Sequence, residues 1–297
     1  MNKVLLNAIA AIGSSLVVSL ATAGEPVRVL ASLPVTYGLG SSLLQGAQAQ
    51  MLRAAPANLP ATRQVSYFSG RGAGALEKAA SSADAVIALR SLWPQDPLYP
   101  MARRSNIRIV EVDAARPVDG ALPGIALSEG EADALADQPW LSINNLGRMA
   151  DVIAADLTRL SPDDAAQITR NLGEIKQRLL KLNATSEGRL AELDNLGVAS
   201  LSPGFVYLIT SLYLDEVALP DAAPGRKPDP AWIEQLQTTL QENDVRLVLS
   251  DRQSDKTLAS TIEAAGARLL IVDGEADDPV AALAGTIEQV ISALSQQ

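Results

Sequence analysis

The chain has 297 residues, 47% of them hydrophobic and 20% charged, a globular balance long enough for two lobes and far from disorder. It contains no Cys and no His, which excludes disulfides, thiol nucleophiles, iron–sulfur clusters, Cys/His zinc centres and any Ser-His-Asp triad. Its 24 basic and 34 acidic residues give a formal charge of −10 without a basic cluster, so nucleic acid is not an expected partner.

Residues 1–23 read as a secretory signal peptide. Lys3 supplies the positive start, Val4 to Leu20 is an apolar and small-residue run, and Ala21-Thr22-Ala23 is an AxA cleavage site before Gly24. Cleavage after Ala23 leaves no lipobox Cys, so the reading is a periplasmic protein without a membrane anchor. A chain without thiols also suits an oxidising compartment.

Strands are expected at 27–31, 65–68, 84–89 and 107–112, with helix-like segments near 38–53 and 74–83 between the earlier ones. Ser161-Pro162-Asp163-Asp164 then has the form of a helix start: a capping Ser, Pro at the first helical position and acids in the first turn. From there Ile168, Leu172, Ile175, Leu179 and Leu182 recur at spacings of four and three, one apolar stripe. Carried to Asn195, this helix has about 34 residues and a length of roughly 50 Å. Strands at 198–201, 245–249 and 268–272 follow, with helices at 230–243, 255–265 and 279–295. Alternating strands and helices predict parallel sheets covered by helices. The expected class is α/β, two βα lobes with central, mostly parallel sheets joined by one long backbone helix. The divisions are an N-terminal lobe at 24–160, the backbone helix at 161–196 and a C-terminal lobe at 197–297.

This order of parts resembles the zinc and manganese solute-binding proteins of ABC importers, members of the helical-backbone receptors. Asp137-Gln138-Pro139-Trp140-Leu141-Ser142 is similar to the family's Asp-Pro-His-x-Trp-Leu-Ser/Asp motif. Ser202-Pro203-Gly204-Phe205-Val206-Tyr207-Leu208 is similar to its His-Asp-Ala-Phe-x-Tyr-Leu segment. The stretch from Val245 to Ser254, with Leu258-Ala259 and Thr261-Ile262 after it, is similar to the family's strand–Glu-x-Gln–helix unit. The resemblance implies a periplasmic binding protein that delivers metal to an ABC-transporter permease, with no catalytic residues and no cofactor.

The ligand positions depart from the family. Ser69-Gly70-Arg71-Gly72-Ala73-Gly74 replaces the first His loop, the second His falls on Gln138 and the third on Ser202. Only the fourth position retains a carboxylate, Asp277 or Asp278. Zinc selects nitrogen ligands, so a bare zinc site is not expected. The expected strand ends instead place Tyr37, Arg71, Arg90, Trp93 and Arg252 near the cleft, while Trp140, Ser202, Phe205 and Tyr207 fall near the old metal site. Arg offers a planar fork to carboxylates and catecholates, and aromatics stack on flat groups. These residues, with Gln138, are the expected ligand-binding set for a metal chelate, such as a ferric siderophore of the pyoverdine kind. A second periplasmic binding protein is a further expected partner. Two alternatives stand beside this reading: an oxygen-rich site for a hard cation around Asp251, Asp273, Glu275, Asp277 and Asp278, and an accessory protein without a small ligand. The Gly70–Gly74 run, read as following a strand, would also expose backbone N–H groups to an anion.

Overall fold

The structure, a computed structural model, describes residues 25–118, 120–127, 135–220, 229–272 and 277–296. The expected signal segment, Asp273 and Glu275 lie outside the described residues. The N-terminal lobe runs β1 (Arg28–Ala31), α1 (Pro34–Leu43), β2 (Gln50–Arg53), α2 (Ala61–Ser69), α3 (Ala73–Ser81), β3 (Ala85–Ala88), α4 (Leu98–Ser105) and β4 (Val110–Asp113). Its four strands lie in the order β2-β1-β3-β4, every neighbour parallel. After α5 (Ile143–Leu160) and the long α6 (Ala165–Leu190), the second lobe runs β5 (Gly197–Ser200), α7 (Val206–Ser211), β6 (Asp215–Glu216), α8 (Pro230–Glu242), β7 (Leu247–Ser250), α9 (Lys256–Ala264), β8 (Arg268–Ile271) and α10 (Pro279–Ser295). Its sheet order is β6-β5-β7-β8, again parallel throughout.

Alternation along the strands explains the layering. Val29 and Ala31 of β1 face a central apolar core, while Leu30 faces a separate cluster with Phe68, Val86 and Leu98 on the other side of the sheet. In β7, Leu247 and Leu249 face the central core and Val248 faces an outer cluster with Leu236, Leu240 and Ile262. Both sheets are covered on two faces, as parallel sheets require. The central core is shared: Leu146 and Ile153 of α5, Ile175 and Leu179 of α6 and Ile287 of α10 pack with residues of both sheets. Each such fully buried aliphatic side chain contributes roughly 1.5–3 kcal/mol, so the lobes are joined by apolar burial as well as by chain connection.

Three expectations are corrected. The segment 65–68 is not a strand but part of α2, because its burial follows the helical period: Gln64 and Phe68, four apart, are buried while Val65 between them is 48% exposed. The second strand is Gln50–Arg53, at the end of the span expected to be helical, since α1 stops at Leu43 and the chain turns at Gly46 with φ 75°. The long helix is 26 residues, not about 34. It begins after a 3₁₀ turn at Pro162–Asp164, runs through Gly188 and ends at Leu190.

Asp164 shows why β2 lies where it does. Its buried carboxylate accepts the backbone N–H groups of Gln48 (2.8 Å) and Ala49 (2.9 Å) and the Ser161 hydroxyl (2.8 Å). Burial alone would raise this carboxyl, but the three hydrogen bonds together outweigh it and hold it below the ordinary range. The start of the long helix thereby fixes the chain entering β2.

Candidate functional site

A cleft of about 510 Å³ opens between the lobes. One wall is Leu33, Pro34 and Val35 at the end of β1, with Leu59 to Thr62 at the start of α2; the other is Pro203, Gly204, Asp251, Arg252 and the beginning of α10. Gln138, Trp140, Leu141 and Leu146 close it between them. The lining is mostly apolar, with Gln138, Asp251, Arg252 and Thr62 as its polar side chains.

Local hydrogen bonds set these groups. After β7, the Ser250 hydroxyl donates to the Arg252 carbonyl at 2.8 Å, folding the Asp251-Arg252 turn toward the cleft. Asp251 Oδ1 accepts from the Ser202 hydroxyl at 2.6 Å and from Arg252 Nε at 3.1 Å. Burial pushes the Asp251 carboxyl up, but the Ser202 bond and the bond and charge of Arg252 outweigh that and hold it below the usual carboxylate range. Asp251 is therefore charged at neutral pH, and the 77%-exposed Arg252 side chain stands beside it. Gln138 adopts left-handed backbone angles, φ 49° and ψ 62°, ahead of the Pro139–Leu141 turn. Its amide nitrogen occupies the space a side chain at position 204 would need: a Cβ on Gly204 would lie 2.5 Å from Gln138 Nε2.

Of the residues expected at the site, Gln138, Trp140 and Arg252 line the cleft. Ser202 is buried behind it and orients Asp251. Phe205, Tyr207 and Trp93 are buried, Phe205 and Trp93 within the central core. Tyr37 lies under the guanidinium of Arg53, 3.8 Å from ring centroid to Cζ. Arg71 and Arg90 are outside the lining. Arg71 sits over Tyr67 at 5.5 Å in the turn between α2 and α3, and Arg90 pairs with Glu111 at 3.1 Å. The Gly70–Gly74 run thus joins two helices and does not follow a strand, which removes the geometry expected for an anion loop.

The two candidate metal carboxylates are both paired. Asp277 accepts from Arg53 at 2.6 Å, and Asp278 accepts from Arg178 at 2.7 Å while also capping α10 through the Val280 and Ala281 N–H groups. Burial acts to raise the Asp278 carboxyl, and the Ala281 bond, Arg178 and the Val280 bond bring it below the ordinary range. Among the described residues no group of three or more His, Cys, Asp or Glu is gathered as a metal site. The wall from Leu59 to Thr62 is not among the expected site residues, because the neighbouring 65–68 reads as a strand; Pro60, just ahead of α2, is the signal of a helix start there. Among the described residues no helix is long and apolar enough to cross a membrane.

Two parallel α/β lobes on a long helix, closing over an interlobe cleft, define a solute-binding protein of the helical-backbone class. The chain belongs to the family described as zinc-uptake complex component A, periplasmic, whose model matches residues 78–296. Among solved structures, it is similar to ZnuA with 20% identity and a TM-score of 0.68, covering 91% of this chain and 100% of that one. It is also similar to a mutant of FpvC from Pseudomonas aeruginosa, with 20% identity, a TM-score of 0.71 and coverage of 91% and 100%. A further similarity is to FpvC from the same organism in complex with Ni²⁺, with 20% identity, a TM-score of 0.67 and coverage of 92% and 98%. A sequence comparison with curated proteins finds no match. Family membership makes the chain a periplasmic solute-binding component of metal uptake, a class that works with an ABC permease and is not enzymatic.

Proposed function

We propose that this protein carries metal as a chelate, an iron–siderophore complex, and presents it to an ABC-transporter permease in the periplasm after removal of residues 1–23. One observation carries the reading: the cleft is roomy and mostly apolar, with Trp140, Gln138 and Arg252 on its lining and no gathered metal-ligand set among the described residues. Its volume of about 510 Å³ falls in the range of small-molecule sites. It accommodates a compact chelate or the metal-bearing part of a larger one, the rest projecting into solvent. Trp140 offers a flat face for a conjugated group, and Arg252 a fork for an anionic one. A second periplasmic binding protein that exchanges the chelate or its metal with this one completes the proposal.

The bare-ion reading is kept as the alternative because FpvC, a protein of similar fold, is described in complex with Ni²⁺ and with Mn²⁺. Against it here stand the absence of His from the chain and the arginine partners of Asp277 and Asp278. The test is a tryptophan-fluorescence titration with zinc, manganese, and the apo and ferric forms of a siderophore such as pyoverdine. Trp140 makes the cleft a reporter of its own occupancy. A saturable change with the ferric siderophore and none with bare ions is the expected result. Saturation by a bare ion would replace the proposal with the alternative, and silence from every probe would favour an accessory role without a small ligand.

A further inference from the structure

Beside the cleft, one arginine ties the lobes together. Arg53 ends β2 in the N-terminal lobe, and its Nη2 donates at 2.6 Å to Asp277, which lies just ahead of α10 in the other lobe. The guanidinium is stacked on Tyr37 at 3.8 Å, within cation–π range. Its side chain is 18% exposed and its buried Nη1 has no partner among the described residues, whereas Asp277 is 86% exposed. The backbones meet at the same place. A Cβ on Gly38 would lie 2.6 Å from the Asp277 carbonyl oxygen and 2.6 Å from Pro279 Cδ. From the far side, Arg178 of α6 holds Asp278, the capping residue of α10.

We infer that Arg53 is a positioning residue for the cleft: through Asp277 it fixes the spacing of the two walls whether or not a ligand is present. Val35 and Pro279, two residues from Tyr37 and Asp277, are themselves part of the lining, so a shift at the ion pair moves both walls. This inference goes beyond the proposed ligand and holds for any occupant of the cleft.

The experiment is hydrogen–deuterium exchange on the ligand-free protein, reading the amides of α1 and of the first two turns of α10. R53E and D277R should each accelerate exchange in both segments by about fivefold, the scale of a coupled contact pair, and R53E/D277R should restore the slow rate. Acceleration confined to one segment, or failure of the reversed pair to restore it, overturns the inference. If R53E or D277R fails to fold, D277N at the exposed partner decides: faster exchange in both α1 and α10 supports the inference, and unchanged exchange refutes it.

Discussion

Two Arg–Asp pairs flank the cleft, and they are built in opposite senses. In the second lobe the carboxylate is the held partner: Asp251, 42% exposed, is fixed by Ser202, while Arg252 is 77% exposed at the lining. Across the interlobe contact the arginine is the held partner, 18% exposed over Tyr37, and its carboxylate Asp277 faces water. The same two functional groups thus serve different ends. The Asp251 carboxylate, held by Ser202, leaves most of its arginine exposed at the cleft, whereas the Arg53 guanidinium, largely covered and stacked on Tyr37, spends its Nη2 on Asp277 across the lobes. What each pair contributes depends on which partner has lost its water, because the desolvated member is the one that suffers when its partner is removed.

The sharpest way to break this contrast is to force the tie apart without touching either charge. Gly38→Val places side-chain atoms against the backbone of Asp277 and the ring of Pro279, neither of which yields as a flexible side chain would. Overpacking of this kind costs about 3 kcal/mol, and urea unfolding should show it as a lower midpoint at unchanged slope. Next comes the exposed arginine. Arg252→Ala should weaken binding of an anionic chelate by about 2 kcal/mol, the value of a charge-assisted hydrogen bond, with little change in unfolding midpoint. Equal loss of stability would mean that Arg252, like Arg53, is a tie. Asp277→Asn should do the reverse: a stability loss of about 1 kcal/mol that shrinks in high salt, and no direct loss of a ligand contact.

How much of this was legible in the chain follows from where the signal lay. The long helix is announced by the stripe from Ile168 to Leu182, and 245–249 reads as a strand because Leu247, Val248 and Leu249, covered on both faces, are consecutive apolar residues. β2 was hidden for the opposite reason: Gln50 and Arg53 break any apolar run, and the strand is fixed from a distance by Asp164. At the site, the motif carrying Gln138 and Trp140 and the turn carrying Arg252 could be placed because each sits at a boundary that the sequence marks. Arg71 and Arg90 could not be told from Arg252 by type or spacing. Their difference lies in Tyr67 and Glu111, the neighbours that occupy them. Arg53 carries no local signal of its role, since its partner Asp277 lies 224 residues away.

The smallest expected effect concerns acid, and it discriminates the two pairs most cleanly. Asp251 has a native carboxyl held below its ordinary range, so its contribution is fully present above the unfolded value of about 3.9 and is lost as pH falls through the lower native value. Ser202→Ala removes the bond that does most to lower that carboxyl while its burial remains, so the native value rises. The mutant should lose the Asp251 contribution at a higher pH than the wild type, a displacement that unfolding curves taken across the acid range would detect. Asp251 is partly exposed, so the change in stability at neutral pH should be modest, about 1 kcal/mol for one hydrogen bond. Arg252 loses a fixed neighbour at the same time, and its reach into the cleft becomes less defined. Ferric-siderophore affinity should therefore fall in Ser202→Ala at neutral pH, where Asp251 stays charged. A variant that shifted the acid limb but left that affinity untouched would separate the carboxylate from the site and leave Arg252 to act alone.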